Sequence, residues 1–201
     1  MTPTSFAELA RDVVAAVPAL GSVRLVVVDG PAGSGKTTFA ERLAAAVGGT
    51  RVLHMDDFYE GWSGALTGDV WRRLDQQVLR PLAAGGDGSY RRYDWAEGAF
   101  AQTPTVVPTA AVVVLEGVGS AARPIDPFAS LRVWVEAPED VRIARGIERD
   151  GEHLRREWIR WLDVERAHFA TDRTRERADL VVDGSSPDGQ TSSFLVFEDR
   201  R

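Results

Sequence analysis

The chain is predicted to be an α/β protein with a mostly parallel five-stranded sheet flanked by helices in three layers. Three observations predict it. Short apolar runs alternate with amphipathic helical stretches along all 201 residues, several runs end in an acidic residue, and the first ends in a glycine-rich loop that opens a helix. At 44% hydrophobic the chain can bury one substantial core, and no break in composition divides it, so residues 1–201 read as a single domain.

The elements follow in order. Residues 6–17 carry Glu8, Arg11 and Asp12 at helical spacing among apolar residues, unlike the basic-then-apolar layout of a secretion signal. Residues 23–29 read as a buried parallel strand and 38–47 as a helix. The run 51–55 is a second strand, delivering Asp56 and Asp57 to its carboxyl end. After a loop with Gly61, Gly64 and Gly68, residues 69–82 place Val70, Leu74, Val78 and Leu82 on one helical face. Residues 85–109 lack a period but hold Tyr90, Tyr93, Trp95 and Phe100, which marks a functional excursion, with the whole acceptor-side insertion spanning about 58–109. A third strand over 111–117 ends in Glu116, a fourth covers 131–135, and helical sequence runs with interruptions from Pro138 to about Asp172. A fifth strand follows at 178–182, then a turn over 184–189 and an edge strand at 194–197.

Lys36 is the only lysine, although the chain holds 24 Lys and Arg together, and it stands in Gly30-Pro31-Ala32-Gly33-Ser34-Gly35-Lys36-Thr37. This is the G-x-x-x-x-G-K-[ST] phosphate-binding loop, and given one lysine the pattern arises by chance roughly once in a thousand. A compact ammonium serves between phosphate oxygens where a planar guanidinium is too wide. The strand before the loop and the helix after it are the context the motif requires. The fold is therefore of the P-loop NTPase type, and Gly30, Ala32, Gly33, Ser34, Gly35, Lys36, Thr37 and Thr38 are the expected nucleotide-binding residues. Thr37 can offer its hydroxyl to Mg²⁺, so ATP and Mg²⁺ are the expected cofactors.

Phosphoryl transfer needs acids and arginines around such a loop. Asp56 is the candidate to accept the acceptor hydroxyl's proton, and Glu116 the candidate to hold Mg²⁺ or its waters. Both stand at strand ends that face the ligand edge of the sheet, where they can equally be solvated strand-end residues or caps. Arg142, Arg145 and Arg149 form one helical stripe and Arg155 and Arg156 follow Gly151, as in a hinged arginine-rich lid over about 142–157. Glu148, Glu152 and Glu157 could instead pair with them on a solvated face. Leu154, Trp158, Trp161 or Leu162, and Phe169 read as a core face and not as a ligand platform.

A formal charge of −6 lacks the footprint of a nucleic-acid binder. With no cysteine there is no disulfide framework, and three scattered histidines do not suggest zinc. No run reaches membrane-spanning length, so no membrane partner is expected and the reading is cytoplasmic, with a homo-oligomer left open. The lone lysine is committed to the loop, so no N-K-x-D guanine motif exists, which disfavours a GTPase switch against an enzyme.

The loop, then His54-Met55-Asp56-Asp57-Phe58-Tyr59, then Tyr93-Asp94-Trp95, then Leu115-Glu116-Gly117, in this order, resemble the uridine kinase group of P-loop kinases, which includes phosphoribulokinase and pantothenate kinase relatives. The resemblance implies a kinase that phosphorylates a hydroxyl of a small metabolite, a nucleoside first and pantothenate or a sugar as the alternative. It implies that Asp56 acts as base and contacts Mg²⁺, that Asp69 binds ribose hydroxyls, that Tyr93 lies against a pyrimidine and that Glu116 assists the metal. It also implies that Arg145 and Arg149 contact phosphate or ribose, with Tyr59 and Trp95 completing the acceptor site. The chain departs from the group in residues 96–100, which hold no histidine where uridine and cytidine kinases carry one to read the base.

Overall fold

The computed structural model describes residues 2–185 and 192–201. The chain runs β1 (Thr2–Ser5), α1 (Phe6–Ala15), β2 (Arg24–Asp29), α2 (Lys36–Ala46), β3 (Val52–His54), α3 (Gly61–Gly64), α4 (Gly68–Leu74), α5 (Arg80–Ala83). Two small antiparallel pairs follow, β4 (Gly88–Tyr90) with β7 (Thr105–Val107) and, nested inside it, β5 (Tyr93–Asp94) with β6 (Ala99–Phe100). The rest is β8 (Val112–Glu116), β9 (Ala129–Glu136), α6 (Glu139–Asp150), α7 (Arg155–Asp172), α8 (Thr174–Arg177), β10 (Leu180–Asp183) and β11 (Ser193–Asp199).

The main sheet has seven strands in the order β1-β11-β10-β9-β2-β8-β3. Five of them, β10 to β3, are parallel and correspond to the five predicted from the apolar runs. Parallel strands covered on both faces must be apolar at every position, and β2 meets this demand. Leu25 and Val27 face one core with Leu53, Met55 and Leu115, while Val26 and Val28 face the other with Phe39, Leu43 and Val133.

The remaining two strands correct the expected sheet. The segment expected as an edge, β11, lies inside the sheet, antiparallel to β10, and β1 forms the edge beyond it. β1 is four residues, Thr-Pro-Thr-Ser, with no apolar alternation to announce it, and its pairing comes entirely from β11. Ser5 closes β1 and caps α1 in a capping box, its hydroxyl accepting the Glu8 amide at 3.1 Å while Glu8 accepts the Ser5 amide at 2.9 Å.

The helix predicted over 69–82 is broken by a wide turn at Asp75–Leu79, in which the Arg80 amide donates to the Asp75 carbonyl five residues back. Pro81 has no N–H to offer Gln77, and the wider turn absorbs that lost bond. The apolar face survives, with Val70, Leu74, Val78 and Leu82 all buried. Of the turn expected over 184–189, residues 186–189 lie outside the described residues.

α6 and α7 pack as an arm over the ligand edge of the sheet, and Gly146 lies against the Trp158 ring. A Cβ built on Gly146 would lie 2.3 Å from the Trp158 ring. In an open helix, glycine to alanine gains about 1 kcal/mol. Here overpacking reverses the sign, and Gly146→Ala is expected to destabilise the protein by about 1–3 kcal/mol in denaturant titration. A gain in stability would show that the arm yields freely.

Candidate active site

The loop between β2 and α2 is set by backbone geometry. Gly33 has φ +77°, and a Cβ there would lie 2.5 Å from the Arg142 carbonyl oxygen, so both conformation and space require glycine. Gly35 caps α2 without a side-chain acceptor, and the first-turn amides of α2, beginning at Lys36, have no intrahelical partner. These donors and the helix dipole make an anion cradle. The Lys36 ammonium, buried within it, donates to the Pro31 carbonyl at 2.9 Å.

Beneath the loop, the buried carboxylate of Asp29 accepts three amides, from Gly30 at 2.7 Å, Gly119 at 3.0 Å and Ala121 at 2.9 Å. It thereby ties the start of the phosphate loop to the loop after β8. Burial raises its pKa to about 6 against the pull of those amides and of Lys36. Asp29→Asn would turn one acceptor into a donor facing an amide, with an expected loss of about 1–3 kcal/mol. The pH sign follows from the raised value. The folded state holds a proton on Asp29 that the unfolded chain has released, so this group's contribution to stability falls as pH rises from about 4 to about 6. The difference in stability between wild type and Asp29→Asn should therefore shrink across that window, and an increase would contradict the burial argument.

The parallel register delivers the acids. Val28 stands opposite Glu116 and Glu116 opposite His54, so the ends of β2, β8 and β3 come level. One oxygen of Glu116 accepts from the Thr37 hydroxyl at 3.2 Å and meets His54 Nδ1 at 2.6 Å. That carboxylate raises the His54 pKa. Asp56 reaches solvent at the cleft mouth but is crowded by its walls. That desolvation, then the Glu116 charge, raise its pKa, opposed by Lys36 and Arg149.

The arm supplies the arginines, each already engaged. Arg142 is buried and donates to Glu165 at 2.8 Å and to the Ala32 carbonyl at 3.2 Å, while Glu165 accepts the Ala32 amide at 2.8 Å. Arg142 is thus a brace under the loop and not part of a solvent-facing lid. Arg145 donates to the carbonyls of Gly184 at 2.7 Å and Ser185 at 3.1 Å. Arg149 forks Asp150 at 2.7 and 2.9 Å, and Asp150 also accepts the Trp158 indole at 2.9 Å. Arg155 pairs with Glu152 in solvent.

Together these elements enclose a cleft of about 860 Å³, large enough for a nucleotide beside a small acceptor. Ala32, Gly33, Gly35, Lys36, Thr37 and Thr38 border it, with Gly30 and Ser34 buried below. Asp56, Glu116, Arg145, Arg149, Tyr59 and Trp95 also border it. Two expected residues do not. Asp69 sits exposed in the first turn of α4, paired with Arg72 at 2.7 Å, and Tyr93 stands behind Trp95 with ring centroids 5.5 Å apart. Tyr59 contributes its ring only, because its hydroxyl donates to the Val118 carbonyl.

Several contributors lay outside the expectation. Trp158 and Trp161, read as core, are buried and yet form cleft wall, because the faces they turn from the sheet close the cavity. Trp62 joins them, although a lone tryptophan in a Gly-rich loop carries no positional signal. Asp29 and Glu165 gave no motif either. An acid ending an apolar strand is the signal that could have found Asp29, while Glu165 lies unmarked in a helix with acids throughout.

No cluster of three or more His, Cys, Asp or Glu side chains among the described residues could cage a metal alone. The oxygen donors Thr37, Glu116 and Asp56 are the kind of sparse hard-ligand set that suits Mg²⁺, which keeps its waters and is shared with phosphate. No helix among the described residues is long and apolar enough to cross a membrane.

A phosphate loop between strand and helix, acids at the neighbouring strand ends and an arginine-bearing arm define an ATP-dependent small-molecule kinase of the P-loop class. The sequence model described as "Phosphoribulokinase / Uridine kinase family" matches residues 70–157. The uridine kinase of Deinococcus deserti is 34% identical over 147 residues, covering 65% of this chain and 70% of that protein. That of Borrelia hermsii is 25% identical over 183 residues, covering 80% and 86%. The chain belongs to the phosphoribulokinase/uridine kinase family. Its fold is similar to that of a possible uridine kinase from Bacillus stearothermophilus, with a TM-score of 0.64 at 22% identity over 88% of this chain and 96% of the other.

Proposed function

We propose that this kinase uses ATP and Mg²⁺ to phosphorylate a hydroxyl of a nucleoside, within one P-loop kinase domain over residues 1–201 acting in the cytoplasm. The acceptor insertion is 58–109, and the arm closes through the part of 142–157 that lies beyond the Arg142 brace. The observation that carries the reading is the convergence of Lys36, Thr37, Glu116 and Asp56 at the carboxyl edge of one sheet, where an acceptor hydroxyl and a terminal phosphate can meet.

In this reading the loop amides and Lys36 hold the phosphates of ATP. The acceptor O–H gives its proton to the Asp56 carboxylate as its oxygen attacks the γ-phosphorus, and the bond to the ADP oxygen breaks. The metal, held by Thr37 and Glu116 with Asp56 near, supplies charge neutralisation on the phosphates. Arg145 and Arg149 add cationic charge once phosphate displaces the carbonyl and carboxylate partners they now hold.

The test is acceptor-dependent ADP release, measured over nucleosides, pantothenate, sugars and amino alcohols. Release with nucleosides supports the proposal, and release only with a non-nucleoside acceptor rejects the nucleoside class.

A further inference from the structure

Four indoles stand in the cleft, and two of them are left open. Trp62 and Trp95 are 43% and 42% exposed, adjacent, with ring centroids 5.5 Å apart in an edge-to-face pair. Trp62 continues the wall onto Trp161 at 5.7 Å. The wall is fixed at the reacting end, because the Trp95 indole donates to the Asp56 carbonyl at 3.2 Å and Tyr93, itself packed on Phe100, backs it. Two adjacent tryptophans left part-exposed on a cleft wall offer ring faces to a flat ligand.

The polar groups beside this wall are committed within the protein. The Tyr59 hydroxyl donates to Val118, Asp57 accepts the Tyr90 hydroxyl at 2.7 Å, and Glu60 pairs with Arg73 at 3.2 Å. Asp94 accepts the amides of Ala96 and Glu97 at 3.0 and 3.1 Å. None of the three histidines borders the cleft. His54 is held by Glu116, His168 is stacked on Trp71, and His153 lies in the exposed turn Glu152–Leu154. Among the described residues, a base placed here finds ring faces but no donor or acceptor reserved for its edge.

Resting on the nucleoside reading, we propose that the acceptor base is held in the corner of the Trp62–Trp95 pair, stacked on one indole and edge-on to the other, and that its identity is not read. The enzyme then accepts purine and pyrimidine nucleosides alike, since every base offers a π-face and discrimination requires hydrogen bonds to the edge. In that reading ATP does not compete for this wall, because the loop takes its phosphates while the Trp95 end is tied to Asp56, the proposed base for the acceptor hydroxyl.

The full chain is assayed with ATP, Mg²⁺ and uridine, cytidine, adenosine or guanosine in turn. The four kcat/KM values are expected within about tenfold of one another. Trp62→Ala and Trp95→Ala should each raise the KM of all four nucleosides about tenfold or more while leaving the KM of ATP unchanged. Trp95→Phe should restore most of the affinity, which separates stacking from the indole bond to Asp56, whose loss would appear in kcat. A preference above about a hundredfold for one base overturns the inference and leaves the nucleoside reading standing. So does an alanine variant whose nucleoside KM is unchanged or whose ATP KM alone rises. Turnover with a sugar or pantothenate and with no nucleoside overturns both.

Discussion

Asp56→Asn is expected to lower kcat by about 10²–10⁴-fold, the range for loss of a positioned general base. The substitution keeps the shape of the side chain and removes its ability to take a proton. Lys36, Thr37 and the loop amides are untouched, so ATP affinity, read by titration of a non-hydrolysable analogue, should stay near the wild-type value. The contrast between lost turnover and retained binding is the signature of a group that acts on the acceptor. Full turnover in Asp56→Asn would remove this residue from the base role and leave the solvated strand-end reading in its place.

Lys36→Ala is expected to act earlier, on the grip itself. Its ammonium is buried beside the Pro31 carbonyl and is the only lysine in the chain, so no neighbour of the same shape can replace it. Loss of one preorganised charge on the transferring group lowers kcat/KM by about 10²–10³-fold. Lys36→Arg should rescue little, because the planar guanidinium does not fit where a point charge sits among backbone donors. Steady-state kinetics of both variants, with ATP varied, test this, and a rate unchanged in Lys36→Ala would sink the assignment.

The parallel strands and the loop were legible because each rests on local signals. A continuous apolar run fits only a strand covered on both faces, and glycines at fixed offsets fit only a tight turn before a helix. The acids Asp56 and Glu116 were legible for the same reason, since ending a buried parallel strand places a residue at the ligand edge. What stayed hidden depends on partners distant in sequence. β1 has no pattern of its own, and it exists because β11 offers it an edge. The Glu165 bond to the Ala32 amide spans 133 residues and leaves no mark in the spacing. Trp158 and Trp161 are core residues as their helical spacing predicts, and their place in the cleft wall left no mark in that spacing. Asp69, expected at the acceptor ribose from the resemblance alone, stands exposed on α4 beside Arg72, outside the cleft border.

Ala32 is tethered through both of its backbone polar groups, its carbonyl to a residue of α6 and its amide to a residue of α7. The near half of the arm is thus bolted to the cradle and cannot swing without dragging the phosphate seat along. Any opening of the arm therefore falls to its distal portion, past Arg145, where the Gly151 turn at φ +94° joins α6 to α7. The anchored Arg142 and the unanchored stretch past Arg145 are separated by about one turn of helix.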